Sequence, residues 1–346
     1  MAHAEKESDG DAGNAQTADR SAGVAGDGFD AFYEKHLIPA INTLEAERKT
    51  VVRRIWFWLL LIVPTGSALT WYLVHIGAYD FFIILSFMGS LTCTVGVLTN
   101  FRIRYDDNFN ARIVRPIIHF FDPTLDYTPS GCVAKSLFDQ SRLYEGAPPE
   151  RYGGANMVSG TLGKTRMCFS EVTAQRVTLV ASKDGGKEER VTTLFKGVFF
   201  SADFNKSFSG ATFVFPDRAE KVLGSVGQLL QSRRTDYGEI VKLEDPEFER
   251  AFVVYSDSQI ESRYILTPAL MQRLLDFRRR CKRKFQVSFV GSNVNVSIDL
   301  GRNLFEDRLF RTLLKPSIYE TYWNDLDLLT GIVDELNLNS RIWTKA

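Results

Sequence analysis

Histidine is nearly absent from this 346-residue chain: the four copies are His3, His36, His75 and His119, and none follows residue 119. A domain downstream of that point has no Ser-His-Asp or Cys-His triad and no histidine-based zinc site. Cysteine is equally sparse. Cys93, Cys132, Cys168 and Cys281 are scattered without a CxxC pair, which argues against a secreted disulfide scaffold and suits reduced thiols. Net charge is absent too. The 42 Lys and Arg balance 42 Asp and Glu, so the overall charge points to no nucleic acid partner. A complete phosphate loop is also missing. Gly163, Lys164 and Thr165 spell the end of one, but the position five residues before Gly163 is Val158. A turn between strands is the better reading there, and Gly153 and Gly154 lack the setting of a dinucleotide loop. No cofactor is implied and no catalytic residue is nominated.

What is present is greasy and patterned. Apolar residues make up 45% of the chain, and most of its 26 Phe follow residue 100, enough for a core there. Residues 1–28 are small and polar, and are expected to be disordered because they can bury little. They also lack the apolar core of a signal peptide. Over 29–54, Leu37, Ile41, Leu44 and Val51 follow a three-to-four residue spacing, which predicts an amphipathic helix leading towards a membrane.

Residues 55–76 and 81–99 contain no Asp, Glu, Lys or Arg. At about 1.5 Å per residue the first crosses a hydrocarbon core of about 30 Å, and the second lies near the lower limit of length. Trp56, Trp58, Trp71, Tyr72 and Tyr79 sit near the ends, where headgroups would lie. Only residues 77–80 separate the spans, so a transmembrane hairpin of antiparallel neighbours is predicted. Arg48, Lys49, Arg53 and Arg54 precede it, Arg102, Arg104, Arg112 and Arg115 follow it, and the connecting loop has no cation. The positive-inside rule then places both termini in the cytoplasm of a multi-pass inner-membrane protein.

Residues 100–155 read as a juxtamembrane helix (108–121), lying on the bilayer surface or packed on the next domain, and a Pro/Gly-rich connector with a short helix at 136–143. Residues 156–346 read as a cytosolic α+β domain with a largely antiparallel sheet and packed helices. Strands are predicted over 158–169, 172–180, 191–200, 211–215, 240–243, 252–255 and 260–266. Helices are predicted over 217–233, from Thr267 and Pro268 onward, and over 304–338 with a break at Pro316. Val287, Phe289, Val294, Val296 and Ile298 alternate around Gly291, a hairpin signal.

One charge cluster stands out: Arg278, Arg279, Arg280, Lys282, Arg283 and Lys284, at the end of the helix begun by Thr267. Cations complement a helix C-terminus wherever it lies. On a tethered domain they are also a candidate contact for anionic lipid, worth about 1 kcal/mol per cation. Asp325 and Asp327 resemble a short metal-binding pair, but two positions apart on a helix they face different ways. Asn205 and Asn295 occupy glycosylation sequons that the cytosolic placement leaves unmodified.

Several strings resemble an uncharacterised bacterial membrane-protein family, domain-of-unknown-function family 3137. They are FYEKHLIPAI, SGTLGKTRMCFSEV, FKGVFFSADFNKSFSGATFVFPD, LEDPEFERAFVVYSDSQIESRYILTPALMQRLL and the ending DELNLNSRIWTK. The resemblance implies a two-span anchor and one cytosolic domain, and it hints at LemA-type membrane proteins as partners beside the lipid bilayer itself. It carries no activity. Asp203, Asn205, Lys206, Asn339, Arg341 and Trp343 look typical of it, and turn chemistry or tail docking explains them equally well. The expectation is a cytosol-facing binding or regulatory module. The alternative is a carboxylate-dependent enzyme acting on a lipid or membrane-associated substrate. In a third reading the hairpin itself works, packing Gly89, Ser90 and Gly96 on other membrane helices.

Overall fold

The computed structural model describes residues 27–77, 79–144, 146–181, 187–217, 237–306 and 309–338. Of the expectations above, the disordered start up to residue 26, the helix over 217–233 apart from Asp217, and the tail with Asn339, Arg341 and Trp343 lie outside them, while Asp27 and Gly28, the end of the predicted disordered start, are helical. The chain divides into two compact units, Met1–Val114 with Asp307–Ile318, and Arg115–Glu306 with Tyr319–Ala346.

The first unit is built on helices α1 (Gly28–His75) and α2 (Asp80–Phe109), both long and apolar enough to cross a membrane. A π-helical turn at Tyr33–Leu37 interrupts α1, and another at Asn110–Val114 follows α2. The two helices lean on each other through small and polar side chains. Thr70 Oγ1 lies 3.1 Å from Ser86 Oγ. A Cβ on Gly66 would come within 2.3 Å of Ser90 Oγ, so glycine lets the backbones approach. Large apolar residues point outward instead: Phe57 is 63% exposed, Leu60 71% and Phe81 68%. This inverts the pattern of a water-soluble helix pair.

Helix α1 buries Leu37, Ile41 and Leu44 before the apolar run and Ile55 at its start. Glu45 is buried beside them, and its carboxylate accepts from both Arg48 Nε (2.8 Å) and Nη2 (2.7 Å). Leu313 N–H donates to Glu45 at 3.1 Å, and Arg48 donates to the Leu309 carbonyl at 3.1 Å. Arginine and the Leu313 amide hold the Glu45 carboxyl below its usual range despite burial. These bonds also explain why the described residues 309–315, inside the predicted helical stretch, form no helix. The Leu313 amide is taken by a side chain, and Pro316 disfavours helical geometry before it.

The second unit is an α+β domain. After α3 (Arg115–Phe121) come β1 (Leu125–Thr128), α4 (Lys135–Gln140), β2 (Arg151–Leu162), β3 (Thr165–Ala181), β4 (Lys187–Asp203), β5 (Ala211–Pro216) and β6 (Glu239–Val241). Then follow α5 (Pro246–Ala251), β7 (Phe252–Ser256), α6 (Gln259–Ile265), α7 (Pro268–Cys281), β8 (Phe285–Val290), β9 (Asn293–Ile298) and α8 (Pro316–Glu335). The nine described strands form one antiparallel sheet in the order β1-β2-β3-β4-β9-β8-β5-β7-β6.

Several details differ from the periodicity reading. The sheet begins at Leu125, inside the predicted connector. Gly153 and Gly154 belong to β2, and a Cβ on Gly154 would lie 1.9 Å from the Glu171 carbonyl oxygen, so the glycine marks a close approach and not a loop. The strand predicted over 158–169 breaks at Gly163, which turns with φ +61° between β2 and β3. The stretch 260–266 is helix α6, because Ser258 accepts from the Glu261 N–H and caps it. Helix α5 was missed, although Asp245 before Pro246 is a cap-and-proline start. Over the stretch 108–121, Phe109, Ile113 and Ile117 are buried in protein.

One part of the core surrounds Phe138, which is 3% exposed. Its ring meets Tyr144 at 5.3 Å, Tyr152 at 5.3 Å, Phe195 at 6.2 Å and Phe199 at 5.2 Å. Val172, Ala174 and Phe213 belong to the same cluster. The late strands are buried on both faces, as Val198 to Ala202 show, so strict alternation fails there.

Candidate functional site

Helix α7 places the basic cluster. Thr267 caps it by accepting from Leu270 N–H, and Lys282 ends it in left-handed geometry at φ +52°. Leu270, Met271, Leu274 and Phe277 are buried, which directs the cations outward.

The six cations then part company. Arg278 donates to the Ala251 carbonyl and lies 5.3 Å over the Phe252 ring. Arg279 pairs with Glu247 and Asp276, each at 2.6 Å. Arg280 pairs with Asp327 at 2.7 Å and with Glu335. Lys282, Arg283 and Lys284 are exposed, and no ion pair within 4 Å engages them among the described residues. The cluster therefore supplies three uncommitted charges rather than six.

A cleft of about 330 Å³ opens beside it, lined by α7, the loops flanking β8 and β9, and α8. Arg280 and Arg283 stand on one side, Arg302 on another, and Asp325 and Asp327 line it from α8. Arg280 fits because α8 carries Gly331 there: a Cβ would lie 3.0 Å from its Nη1. Glycine inside a helix costs about 1 kcal/mol, so the space it leaves for the guanidinium has a structural use.

Asp325 is 5% exposed, and its Oδ1 accepts from Arg302. Its Oδ2 is buried without a partner among the described residues. Burial raises its carboxyl, against the opposing pull of Arg302 and Arg283. Burial likewise raises Glu335 and the Cys281 thiol, so Cys281 is not an activated thiolate. Asp325 and Asp327 pair with different arginines, but both line the same cleft and Asp325 is buried, whereas their spacing on a helix predicts two solvent-exposed carboxylates; no group of three metal-ligating side chains occurs among the described residues.

The other singled-out residues fall in structural roles. Asp203 Oδ1 accepts from Asn205 N–H at 2.9 Å in the loop after β4, and Lys206 Nζ lies 3.3 Å from the centre of the Tyr264 ring. Asn295 is buried and bonded to Ser201 and Ser288, which bars glycan attachment in the folded state. Asp325 with Arg302, and Glu45 with Arg48, form ion pairs with a buried carboxylate that spacing alone does not reveal. A residue-pattern signal for Arg302 does not exist.

Comparison with known families adds one match. Residues 193–338 match the family described as Protein of unknown function (DUF3137). The resemblance read from the sequence holds over those residues. The DUF3137 stretch runs from β4 to just past α8 and takes in the basic cluster and the cleft, while FYEKHLIPAI and SGTLGKTRMCFSEV lie outside it. No curated protein and no solved structure matches the chain.

Proposed function

We propose that the chain is a two-span, cytosol-facing binding module of the inner membrane, with the DUF3137 stretch as its ligand-bearing part. One observation carries the reading: α1 and α2 meet through Gly66, Thr70, Ser86 and Ser90 while Phe57, Leu60 and Phe81 face outward. Exposed surface of that kind is stable in hydrocarbon and not in water. The flanking cations support a cytosolic placement of both ends, although Arg48 and Arg112 are also tied to Glu45 and Glu47.

Lys282, Arg283 and Lys284 are the cations free to meet anionic lipid. At about 1 kcal/mol each, they favour an acidic surface over a neutral one. The full chain in anionic nanodiscs is expected to melt higher than in zwitterionic ones, and Lys282→Glu with Arg283→Glu and Lys284→Glu is expected to erase that gap. A gap that survives the triple charge reversal removes the lipid contact from the reading. The carboxylate-enzyme alternative finds two carboxylates in the cleft, but each is held by an arginine, an arrangement that suits binding better than proton transfer.

A further inference from the structure

We infer that the cleft between α7 and α8 takes a small phosphate ester carrying a neighbouring hydroxyl, of the glycerol phosphate kind. This deepens the binding reading above and rests on it. Charge bookkeeping within the cleft singles out Arg283. Arg280 is neutralised by Asp327 and Glu335, and Arg302 by Asp325, whereas Arg283 has no carboxylate within 4 Å among the described residues. Lys282 and Lys284, its exposed neighbours in sequence, add positive charge without lining the cleft; the Arg283 guanidinium fork matches phosphate geometry.

The second element is independent of charge. Asp325 lines the cleft, and its buried Oδ2 has no hydrogen-bond partner among the described residues. A buried polar atom left unpaired costs about 1–3 kcal/mol, so a ligand hydroxyl reaching it recovers that loss. The ligand must therefore offer an anion to Arg283 and a hydroxyl to Asp325. Leu300 and Leu328 supply apolar wall for a short carbon skeleton. At about 330 Å³ the space is near the lower limit for small-molecule sites, which suits a headgroup-sized molecule.

The chemistry is shared by free glycerol phosphate and by the headgroup of phosphatidylglycerol. The test titrates the purified full chain, in phosphatidylcholine nanodiscs, with sn-glycerol 3-phosphate and with inorganic phosphate by calorimetry. Saturable binding of glycerol phosphate is expected, tighter than that of inorganic phosphate. Arg283→Ala, an exposed position that leaves folding intact, is expected to weaken both by about tenfold, the value of one charge-assisted hydrogen bond. Asp325→Asn is expected to weaken glycerol phosphate and to spare inorganic phosphate, with its melting temperature measured alongside. Repeating the titration in phosphatidylglycerol nanodiscs separates the sources: suppressed binding assigns the headgroup, and unchanged binding assigns the free ester. Absence of saturable binding, or binding indifferent to Arg283→Ala, overturns the inference. Such a failure leaves the membrane-anchor reading standing, because the hairpin is tested separately.

Discussion

Glu45→Ala is expected to destabilise the first unit by about 3–5 kcal/mol, the usual cost of removing one partner from a buried ion pair. Arg48, half-buried, would be left without its carboxylate, and the Leu313 amide without its acceptor. Thermal unfolding in detergent measures the loss, and hydrogen exchange should show the Leu313 amide opening. Glu45→Gln keeps an acceptor without the charge and should fall between the two. If Glu45→Ala melts with the parent, the pair contributes nothing net. The pH dependence has a defined sign. The folded carboxyl lies below its reference value of 4.5, so its contribution is complete above about pH 4.5 and lost as pH falls through the folded value. Asp325 and Glu335, raised by burial, run the other way. Their contribution is complete below their reference values of 3.8 and 4.5 and is lost as pH rises through the folded ones. Only the Glu45 part of the acid transition should vanish in Glu45→Gln.

Phe138→Ala should cost the second unit about 3–5 kcal/mol, through lost burial and a cavity that four surrounding rings cannot fill. Those rings belong to Tyr144, Tyr152, Phe195 and Phe199, so the change removes one shared partner from all of them. Phe310 is 67% exposed and makes the control: alanine there should be nearly neutral. Equal melting shifts for the two substitutions would show that the Phe138 cluster is not a stabilising core.

The two long apolar helices were the most legible part of this chain, because charge-free runs of that length stand out in the sequence whatever surrounds them. The antiparallel sheet followed from tight turns, and Gly291 and Gly163 mark two of them with positive φ. Residues 260–266 were misread because short apolar runs fit strand and helix alike, and only the capping Ser258 decides. Gly154 hid a strand, since glycine there serves a close backbone approach that pattern alone does not reveal. The cleft was illegible for a different reason. Arg280, Arg302 and Asp325 come from separate elements, and the sequence had grouped Arg280 with neighbours whose partners turned out to differ. Glu45 looked like solvated helix charge, and its amide partner lies 268 residues away.

Helices α1 and α2 carry the membrane reading. The decisive measurement takes sealed membrane vesicles from cells expressing the chain with a different tag at each terminus, washes them in alkaline carbonate, and adds protease from outside. The chain should stay in the pellet, and both tags should be cut or spared together. Release into the supernatant without detergent, or one tag cut while the other survives, contradicts a hairpin that crosses the bilayer twice.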